Sequence, residues 1–531
     1  MWRWAGVAAA LILLNLSLTF ENVWPTLRVR STSELSLEVA ACVLGLVVAR
    51  RWLGAPSRAM LRSLSVVWIL LVVGRYADVT TRSLYGRDVN LYWDLRHVPN
   101  VGAMFSYVAE PWMRAAFVGG LVGVPLVGYF VVRWALGQVS RATHGLAARR
   151  VIGAAAAGVL LLGVAQSLGA RTPEAVKFSD AVTPAVAREV TELAYEMTGA
   201  GVRALDPPPV IDSDFTRVDG ADVILIFLES YGAVSWDRPE FVQALGGSRA
   251  RLAETVRDTG RGVMSAFVES TTFGGESWLS HISLLSGTEV RDERTSVRLM
   301  GQERDTLVKA FGRHGYRTVA VMPGLLQRWP EGAFYGFDDI YDHARLDYHG
   351  PPFGWWDLTD QFALARVDSL EVAPQPRRPA FVFFPTITTH APFTPAPPYQ
   401  PDWARVLTSN PYDADELDRA WSDYPDWMNL GPSYVKGLNY AYATLDGYLR
   451  LRADRDLVMI VVGDHQPPSL VSGEGASWNV PVHVVANRQA VLERLSRHRF
   501  HEGLAPQHPP VAGMDGLLPI LLDAFGDANS Q

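Results

Sequence analysis

The sequence predicts an N-terminal α-helical transmembrane bundle followed by an α/β domain whose central, mostly parallel sheet is flanked by helices. Its 531 residues exceed one ordinary domain, and 48% of them are hydrophobic. Long apolar runs lie before residue 171, whereas short β-branched runs alternate with helical stretches after residue 220. We therefore expect a transmembrane domain at 1–170, a linker at 171–219 with one helix near Pro184–Met197, and a catalytic domain at 220–531.

The transmembrane domain is predicted from five apolar runs. A membrane-spanning helix needs roughly 20 mostly apolar residues, which the fourth and fifth runs supply and the second and third reach only with flanking residues. We expect five spans, with three as the alternative. The runs are Trp4–Leu18, Leu35–Val48, Leu64–Val73, Phe117–Leu136 and Val151–Ala170.

The orientation is predicted from two connecting segments, 50–62 and 133–150, which each carry four arginines and no acidic residue. Positively charged loops stay in the cytoplasm, so everything after Ala170 is expected on the outer side of the membrane. Lys177, Lys309 and Lys436 are the only lysines among 48 basic residues, which indicates a GC-rich bacterial genome. We expect a multi-pass protein of the bacterial inner membrane.

Charge and cysteine content exclude several classes of site. The net charge is −7 and the basic residues are spread along the chain, so no nucleic-acid partner is expected. The single cysteine, Cys42, excludes an internal disulfide and a cysteine-based zinc cluster. Any metal must therefore be bound by oxygen and imidazole ligands. The oligomeric state is left open.

The sheet of the second domain is predicted from five short, nearly continuous apolar runs. Such runs are typical of strands buried on both faces by helices. The runs are Val223–Leu228, Thr318–Met322, Ala380–Phe384, Leu457–Val462 and Val480–Val485.

Polar residues follow three of these strands at their carboxyl ends, where open α/β sheets gather their ligands. Glu229 follows the first strand, His390 follows the third, and Asp464 and His465 follow the fourth. A single strand-end acid is more often a helix cap or loop residue. Two carboxylates and an imidazole on separate strands nevertheless suit one divalent metal ion, manganese or zinc, better than calcium.

A nucleophile is predicted in the stretch that includes Gly274, Gly275 and Ser277. The glycines permit close approach of the backbone, and Ser277 would begin a helix whose N-terminus favours an anionic group. A serine alkoxide on a divalent metal is a far better nucleophile than a free hydroxyl. The alternative is that Ser277 only caps the helix. His281 lies on the same helix face as Ser277 and could support the site, but it is interpreted as a satisfied buried histidine. His483 is interpreted as a packing residue.

These motifs together resemble the alkaline phosphatase superfamily, in particular its membrane-anchored, sulfatase-like branch of lipoteichoic acid synthases and phosphoethanolamine transferases. The resemblance extends over nearly the whole chain. It implies that Glu229, Ser277, Asp464 and His465 hold the metal, that Ser277 takes up the phosphoryl group covalently, and that His390 contacts the phosphate or leaving group. The motifs are Leu228-Glu229-Ser230, Gly275-Glu276-Ser277, Thr389-His390-Ala391-Pro392-Phe393 and Gly463-Asp464-His465.

The resemblance also implies a substrate-binding stretch at 327–332, where Trp329 fits the family pattern. Glu331 falls where glycerol-phosphate polymerases carry an arginine, so Arg328 is the expected replacement and glycerol phosphate is disfavoured as substrate. No Cys or Ser followed by x-Pro-x-Arg occurs around Ser277, which disfavours a formylglycine-dependent sulfatase.

The function predicted from these features is a metal-dependent phosphotransferase that is integral to the membrane and uses a serine nucleophile. Its expected substrates are phosphate esters such as phospholipid headgroups or envelope glycans. One alternative is a hydrolase, either a phosphodiesterase or a sulfuric ester hydrolase. The other is a non-catalytic membrane lipid sensor, whose expected signature is a loss of metal ligands.

Overall fold

The computed structural model of the protein describes residues 2–23, 26–52, 54–85, 88–95, 98, 102, 111–169, 176–198, 205, 207–326 and 329–526. The chain divides into two compact units, Met1–Val202 and Arg203–Gln531. The first unit has one hydrophobic core, and the second has two. The helix expected in the linker is observed, and it belongs to the first unit.

The first unit consists of helices and a short antiparallel hairpin. The hairpin strands are β1 (Phe20–Asn22) and β2 (Val29–Ser31). The described helices are α1 (Trp2–Leu16), α2 (Leu37–Trp52), α3 (Arg58–Tyr85), α4 (Pro111–Ala142), α5 (Leu146–Ser167) and α6 (Val182–Thr198).

Five helices coincide with the five predicted apolar runs. Within the described residues, three candidate spans are long and apolar enough to cross a membrane, Arg58–Ser83, Pro111–Ala142 and Leu146–Ser167. Helices α1 and α2 have 15 and 16 residues. At a rise of about 1.5 Å per residue they extend less than the hydrocarbon thickness of roughly 30 Å. The number of membrane crossings therefore stays a prediction.

The two arginine-rich connections lie at the same end of the first unit. One joins α2 to α3 and the other joins α4 to α5, and Arg50 Nη2 lies 2.9 Å from His144 Nδ1. The opposite end holds the start of α2, where Glu38 Oε1 accepts hydrogen bonds from the backbone N–H groups of Val182 (2.6 Å) and Thr183 (3.1 Å). Helix α6 is therefore fixed at the end away from the arginines.

The second unit is built on a mixed sheet, in which eight strands fall within the described residues, in the order β10-β4-β9-β8-β3-β7-β5-β6. The run from β8 to β6 is parallel, and antiparallel pairing begins at β9. This confirms the predicted mostly parallel sheet. The strands are β3 (Asp222–Leu228), β4 (Gly262–Glu269), β5 (Arg317–Met322), β6 (Asp339–Asp342), β7 (Ala380–Pro385), β8 (Leu457–Gly463), β9 (Asn479–Ala486) and β10 (His501–Glu502).

Helices cover both faces of this sheet because its central strands are apolar on both sides. In β3, Val223, Leu225 and Phe227 belong to one core, whereas Ile224, Ile226 and Leu228 belong to the other. This period of two explains the nearly continuous apolar run in the sequence. The longer helices are α8 (Pro239–Asp258), α9 (Ser277–Ser286), α10 (Glu293–Met300), α13 (Asp360–Val367), α15 (Ala414–Trp421), α16 (Gly431–Leu451), α18 (Gln489–Ser496) and α19 (Leu517–Phe525); the shorter ones are α7 (Val234–Asp237), α11 (Leu307–Arg313), α12 (His343–Leu346), α14 (Trp403–Val406) and α17 (Ser469–Ser472).

Three strands of this sheet were not expected from the sequence, and each has a physical reason. Strand β4 carries a buried serine, Ser265, in the middle of its apolar run. Strand β6 is four residues long with an aspartate at each end, and β10 has only two residues. None of these segments has the continuous apolar pattern that reveals a central strand.

Candidate functional site

The site is built where β3 and β8 end side by side. The two strands are parallel, and Leu228 is in register with Gly463. Glu229 and Asp464 follow these residues, so both carboxylates emerge at the same edge of the sheet. A Cβ atom at Gly463 would lie 2.0 Å from the carbonyl oxygen of Tyr231, so only glycine permits this close approach.

Asp464 is held by the turn that follows each strand. Its Oδ1 accepts hydrogen bonds from the backbone N–H groups of Ser230 (2.8 Å) and His465 (2.7 Å). Ser230 adopts a left-handed conformation with φ 57°, which bends the chain so that its N–H reaches the carboxylate. Two further hydroxyls, those of Ser270 and Ser280, donate to the Asp464 carbonyl oxygen. Four hydrogen bonds thus hold Asp464 in place, two at its carboxylate and two at its backbone carbonyl.

Glu229 is oriented by three hydroxyl-bearing residues. Its backbone N–H donates to Thr386 Oγ1 at 3.0 Å, which ties the end of β3 to the end of β7. The Ser230 hydroxyl donates to Glu229 Oε1 at 3.0 Å, and the Ser277 hydroxyl donates to Oε2 at 2.9 Å. Both carboxylate oxygens of Glu229 therefore accept a hydrogen bond that orients the group.

His465 completes the group with its Nε2 atom. Its Nδ1 lies 2.8 Å from the carbonyl oxygen of Gln466, and because a carbonyl only accepts, Nδ1 carries the proton. Nε2 then presents its lone pair to the cluster, at 3.4 Å from Glu229 Oε1, 3.8 Å from Asp464 Oδ2 and 3.2 Å from Ser277 Oγ. Ligand atoms of Glu229, Asp464 and His465 all lie within 4.8 Å of one another.

The charges of this buried cluster are out of balance. Burial and the adjacent Glu229 carboxylate raise the pKa of Asp464 well above its usual value. Burial alone would raise the pKa of Glu229, but a protonated imidazole at His465 or His390 and hydrogen bonds from Asp464 and Ser277 hold it below the usual range. Burial lowers the pKa of His465, which keeps the imidazole neutral and able to bind a metal. Two oxygens and one nitrogen with excess negative charge suit a divalent metal ion.

Ser277 is the first residue of α9 and lies within reach of these ligands. The preceding turn uses positive φ angles at Gly274 (69°), Gly275 (156°) and Glu276 (61°). The Gly274 N–H donates to the Gln466 carbonyl at 3.1 Å, which anchors the turn to the segment after β8. The capping position is occupied by Glu276, and the Ser277 hydroxyl bonds the cluster, so the interpretation of Ser277 as a helix cap is wrong.

His390 lies on a loop that borders the cluster. Its Nδ1 donates to the Ala391 carbonyl at 2.8 Å, and its ring meets Trp356 edge to face, with 5.1 Å between centroids. The loop is held by the buried carboxylate of Asp360, which accepts the N–H groups of Ile387 (2.8 Å) and Thr388 (2.9 Å). A protonated His390 would lower the pKa of Glu229, which places the His390 ring near the cluster.

The predicted substrate-binding stretch is placed less completely. Arg328 lies outside the described residues. Trp329 is partly buried, and its ring packs 5.4 Å from that of Tyr335 and against the hydrophobic core. In the described part of the chain, the structure therefore places Trp329 with core side chains and not in the hydrogen-bond network of the cluster.

The two remaining buried histidines behave differently from each other. His281 Nε2 is buried without a hydrogen-bond partner among the described residues, and its ring packs on Phe227 at 4.5 Å. Burial lowers the pKa of His281 to about 3. His483 is hydrogen-bonded at both ring nitrogens, by Tyr231 and Ser265. The interpretation of His281 as a fully satisfied histidine is therefore wrong.

Several positioning residues escaped sequence reasoning, namely Ser230, Ser270, Ser280, Asp360 and Thr386. Their partners are distant in the chain, by 157 residues for Thr386 and Glu229. The available signal was weak: Ser270 follows the unrecognised strand β4, and Asp360 stands at a helix start where an acid is commonplace.

Comparison with known families decides the classification of the second unit. The sulfatase family model matches residues 221–502, just over half of the chain. The chain belongs to the sulfatase family. This sulfatase-family domain begins at β3 and ends at β10, so it contains Glu229, Ser277, His390, Asp464 and His465.

Solved structures resemble the sulfatase-family chain at low sequence identity. The lipooligosaccharide phosphoethanolamine transferase of Neisseria meningitidis is 14% identical with a TM-score of 0.49, covering 98% of this chain and 95% of that one. An alkaline phosphatase superfamily protein from Vibrio parahaemolyticus is 16% identical with a TM-score of 0.40, covering 61% and 69%. A phosphoglycerol transferase of Streptococcus pyogenes is 12% identical with a TM-score of 0.37, covering 65% and 81%. Among curated proteins no match was found.

The family match confirms the predicted resemblance to the alkaline phosphatase superfamily and the expectation of an enzyme domain. The sequence that starts at Ser277 continues with Trp278 and Leu279, so the sulfatase-family chain lacks the x-Pro-x-Arg pattern that formylglycine formation requires.

Proposed function

We propose that this protein is a membrane-anchored, metal-dependent phosphotransferase in which Ser277 is the nucleophile. One observation carries the proposal: the Ser277 hydroxyl lies 2.9 Å from Glu229 Oε2 and 3.2 Å from His465 Nε2, inside a buried set of metal-ligating atoms. A serine that only stabilised a helix would have no reason to contact two such ligands.

The proposed metal site consists of Glu229, Asp464, His465 and the Ser277 oxygen. The donor set fits one divalent ion, and oxygen with imidazole ligation suits manganese or zinc. When bound, such an ion lowers the pKa of the serine hydroxyl and neutralises charge on the phosphoryl oxygens. The buried carboxylates supply the negative charge that holds it.

The reaction proposed for these residues is a double displacement at phosphorus. Ser277 Oγ, having lost its proton to solvent, forms a bond to phosphorus while the bond to the leaving oxygen breaks. His390 donates a proton from Nε2 to that oxygen, because its Nδ1 is already engaged with the Ala391 carbonyl. An acceptor hydroxyl then attacks phosphorus, gives its proton to His390 Nε2, and releases Ser277.

The N-terminus of α9 supports this assignment. Ser277 begins the helix, so the positive end of the helix dipole and the first N–H groups are directed toward the attacked group. These groups favour an anionic ester such as a phosphate. Most of the rate enhancement is expected to be electrostatic, as is usual for phosphoryl transfer.

The proposed location is the bacterial inner membrane, with the sulfatase-family domain on the outer side. Supporting this, both arginine-rich connections lie at one end of the first unit, as expected for its cytoplasmic end. Helix α6 is fixed at the other end by Glu38. The proposed substrates are phospholipid headgroups or envelope glycans, and the Trp356 ring beside His390 is suited to either.

The proposal is tested with the Ser277→Ala variant of the full chain in detergent or vesicles. We expect phosphotransfer to fall to background, at least about 1,000-fold, because the covalent step is lost. Metal content after dialysis should remain measurable, since three ligands persist. A labelled phosphoryl group should be trapped on the wild-type protein and absent from the variant.

The matched control is Ser286→Ala on the same helix. Among the described residues, the Ser286 hydroxyl bonds only the Ile282 carbonyl, at 2.6 Å, so its removal should leave turnover within about twofold. Normal turnover by Ser277→Ala would overturn the nucleophile assignment.

A second candidate function is hydrolysis of phosphate or sulfate esters, and the match to the sulfatase family model favours it. The two candidates differ only in the acceptor of the second step. Product analysis with a headgroup-labelled phospholipid separates them: a transferase yields diacylglycerol and a modified acceptor, whereas a hydrolase releases the free headgroup to water.

A further inference from the structure

The connection between α15 and α16 exposes a cluster of large apolar side chains. We define the aromatic segment as residues 421–428, which contain Trp421 (40% exposed), Tyr424 (82%), Trp427 (55%) and Met428 (64%). Elsewhere in the described part of the second unit, large exposed hydrophobic side chains occur singly along the chain. Four exposed large apolar side chains within eight residues indicate an interaction site, unlike isolated exposed residues.

The aromatic segment is attached to the loop that carries His390. The Thr394 hydroxyl, four residues after His390, donates to the backbone carbonyl of Asp423 at 2.7 Å. Lys436 Nζ pairs with the Asp423 carboxylate at 2.5 Å, which fixes the segment to α16. Whatever the segment binds is therefore held beside the His390 face of the site.

A second attachment joins the aromatic segment to the stretch of chain that leads to Trp356. Trp421 Nε1 donates to the Pro352 carbonyl at 3.1 Å, and its ring lies 6.0 Å from that of Phe353. The same stretch of chain continues to Trp356, whose ring contacts His390. The aromatic segment thus adjoins both polypeptide stretches that border His390.

The chemistry of the segment identifies its partner. Tryptophan and tyrosine are enriched where proteins meet the interface between lipid and water, because their rings are apolar with one polar atom. Residues 421–428 contain two aspartates and no basic residue, and only Asp423 is paired with a lysine. The remaining Asp426 disfavours strongly anionic lipid and favours headgroups that carry an ammonium group. The chain itself has helices able to cross a bilayer.

We propose that the aromatic segment is a membrane-contact surface that seats the His390 side of the site on a zwitterionic lipid interface. This inference rests on the proposed function and deepens it. The substrate is taken as an amphiphile that stays in the bilayer, with its phosphate ester at headgroup level.

The test measures lipid contact directly in the full chain reconstituted into vesicles. Cys42→Ser removes the single native cysteine, and Trp427→Cys is then labelled with an environment-sensitive fluorophore. In vesicles of phosphatidylcholine and phosphatidylethanolamine, nitroxide-bearing lipids should quench this label at least threefold more than a control label. The control is Ser496→Cys, an exposed position on α18 over the other face of the sheet.

Equal quenching of the two labels would overturn the proposal. Replacing the zwitterionic lipid with phosphatidylglycerol should reduce quenching of the Trp427 label about twofold, and an increase would contradict the role given to Asp426. In Tyr424→Ser, Trp427→Ser double variants, the ratio of turnover on vesicle lipid to turnover on a soluble phosphodiester should fall about fivefold.

The outcomes separate this inference from the proposed function. Quenching at Trp427 in a protein that shows no phosphotransfer would sustain the membrane contact and sink the transferase assignment. Turnover of vesicle lipid with an unquenched label would do the reverse.

Discussion

Two buried polar clusters lie within the same domain, and they differ in how their charges are satisfied. In the strand-end cluster, Glu229 and Asp464 face each other and His465 with excess negative charge. In the second cluster, behind the turn after β3, the Tyr231 hydroxyl contacts Tyr442 at 2.8 Å and His483 at 2.9 Å.

The second cluster contains one cation, Arg249, whose Nε and Nη2 are hydrogen-bonded and whose Nη1 has no partner among the described residues. Arg249 donates from Nε to the Tyr442 hydroxyl at 3.0 Å, and its guanidinium lies 3.5 Å above the Trp236 ring. Most polar atoms of the second cluster are hydrogen-bonded within the chain, whereas two adjacent buried carboxylates repel each other and favour uptake of a proton or a metal ion. The strand-end cluster is therefore the better candidate for a ligand site, and the second cluster for a structural network.

The largest expected effect is at Asp464. In Asp464→Asn, Oδ1 still accepts the N–H groups of Ser230 and His465, so the turn should fold normally. The second oxygen becomes an NH2 group, which cannot bind a metal. We expect metal affinity to fall by more than the roughly 10- to 100-fold typical of outer-shell changes, and turnover to be lost.

The measurement is the shift in unfolding temperature on adding a chelator to the full chain in detergent. A metal at 100 times its Kd stabilises the folded state by about 2.7 kcal/mol, so the wild-type protein should lose that amount. Asp464→Asn should not respond. An equal response from both proteins would show that the strand-end cluster is not the metal site.

The parts of the site that the sequence predicts are those that directly follow apolar strands. Glu229, Asp464 and His465 directly follow apolar strands, so their meeting at one sheet edge follows from pattern and topology. The hydrogen bonds of Ser277 with Glu229 and His465 join residues 48 and 188 positions apart, and no local pattern encodes them.

The two buried histidines His281 and His483 likewise show that a local sequence pattern does not reveal hydrogen-bond partners. His483 lies within a buried strand, and its interpretation as a packing residue agrees with its two hydrogen bonds. His281 has the same apolar surroundings in sequence, yet its Nε2 has no partner among the described residues. The difference depends on side chains brought by other elements, which periodicity cannot reveal.

Asp360 is a third case, a buried acid that belongs to neither cluster. Burial raises the pKa of Asp360 to about 6, against 3.8 for a free carboxyl. The folded state therefore binds this proton more tightly than the unfolded state, so stability is greatest at low pH and falls as pH rises from about 4 to 6. The expected loss is on the order of 3 kcal/mol at about 1.4 kcal/mol per pKa unit.

Asp360→Asn should remove this pH dependence, since an amide does not titrate. The measurement is the unfolding midpoint of both proteins between pH 4 and 8 with chelator present. The wild-type curve should decline relative to the variant through pH 6, while a constant difference at all pH values would show that Asp360 keeps an ordinary pKa. Loss of one acceptor should also loosen the Ile387–Thr388 backbone and lower turnover.

The smallest effect is expected in the second cluster, from the substitution Tyr442→Phe. The change leaves the buried Arg249 Nε without its acceptor, at a cost of about 2 kcal/mol. Metal affinity should stay within about twofold of wild type, because no ligand atom changes. Isothermal titration with zinc or manganese, beside a denaturant unfolding curve, measures both quantities.

A tenfold loss of metal affinity in Tyr442→Phe would show that the two clusters are not independent. Tyr231 belongs to the second cluster, yet its carbonyl oxygen lies 2.0 Å from the position that a Cβ atom of Gly463 would take. Gly463 directly precedes Asp464 in the chain. A shift of Tyr231 would then displace Gly463 through this close contact, and with it the adjacent proposed metal ligand Asp464. The two clusters would in that case form one coupled unit, with the tyrosine network positioning Glu229 and Asp464 for the metal.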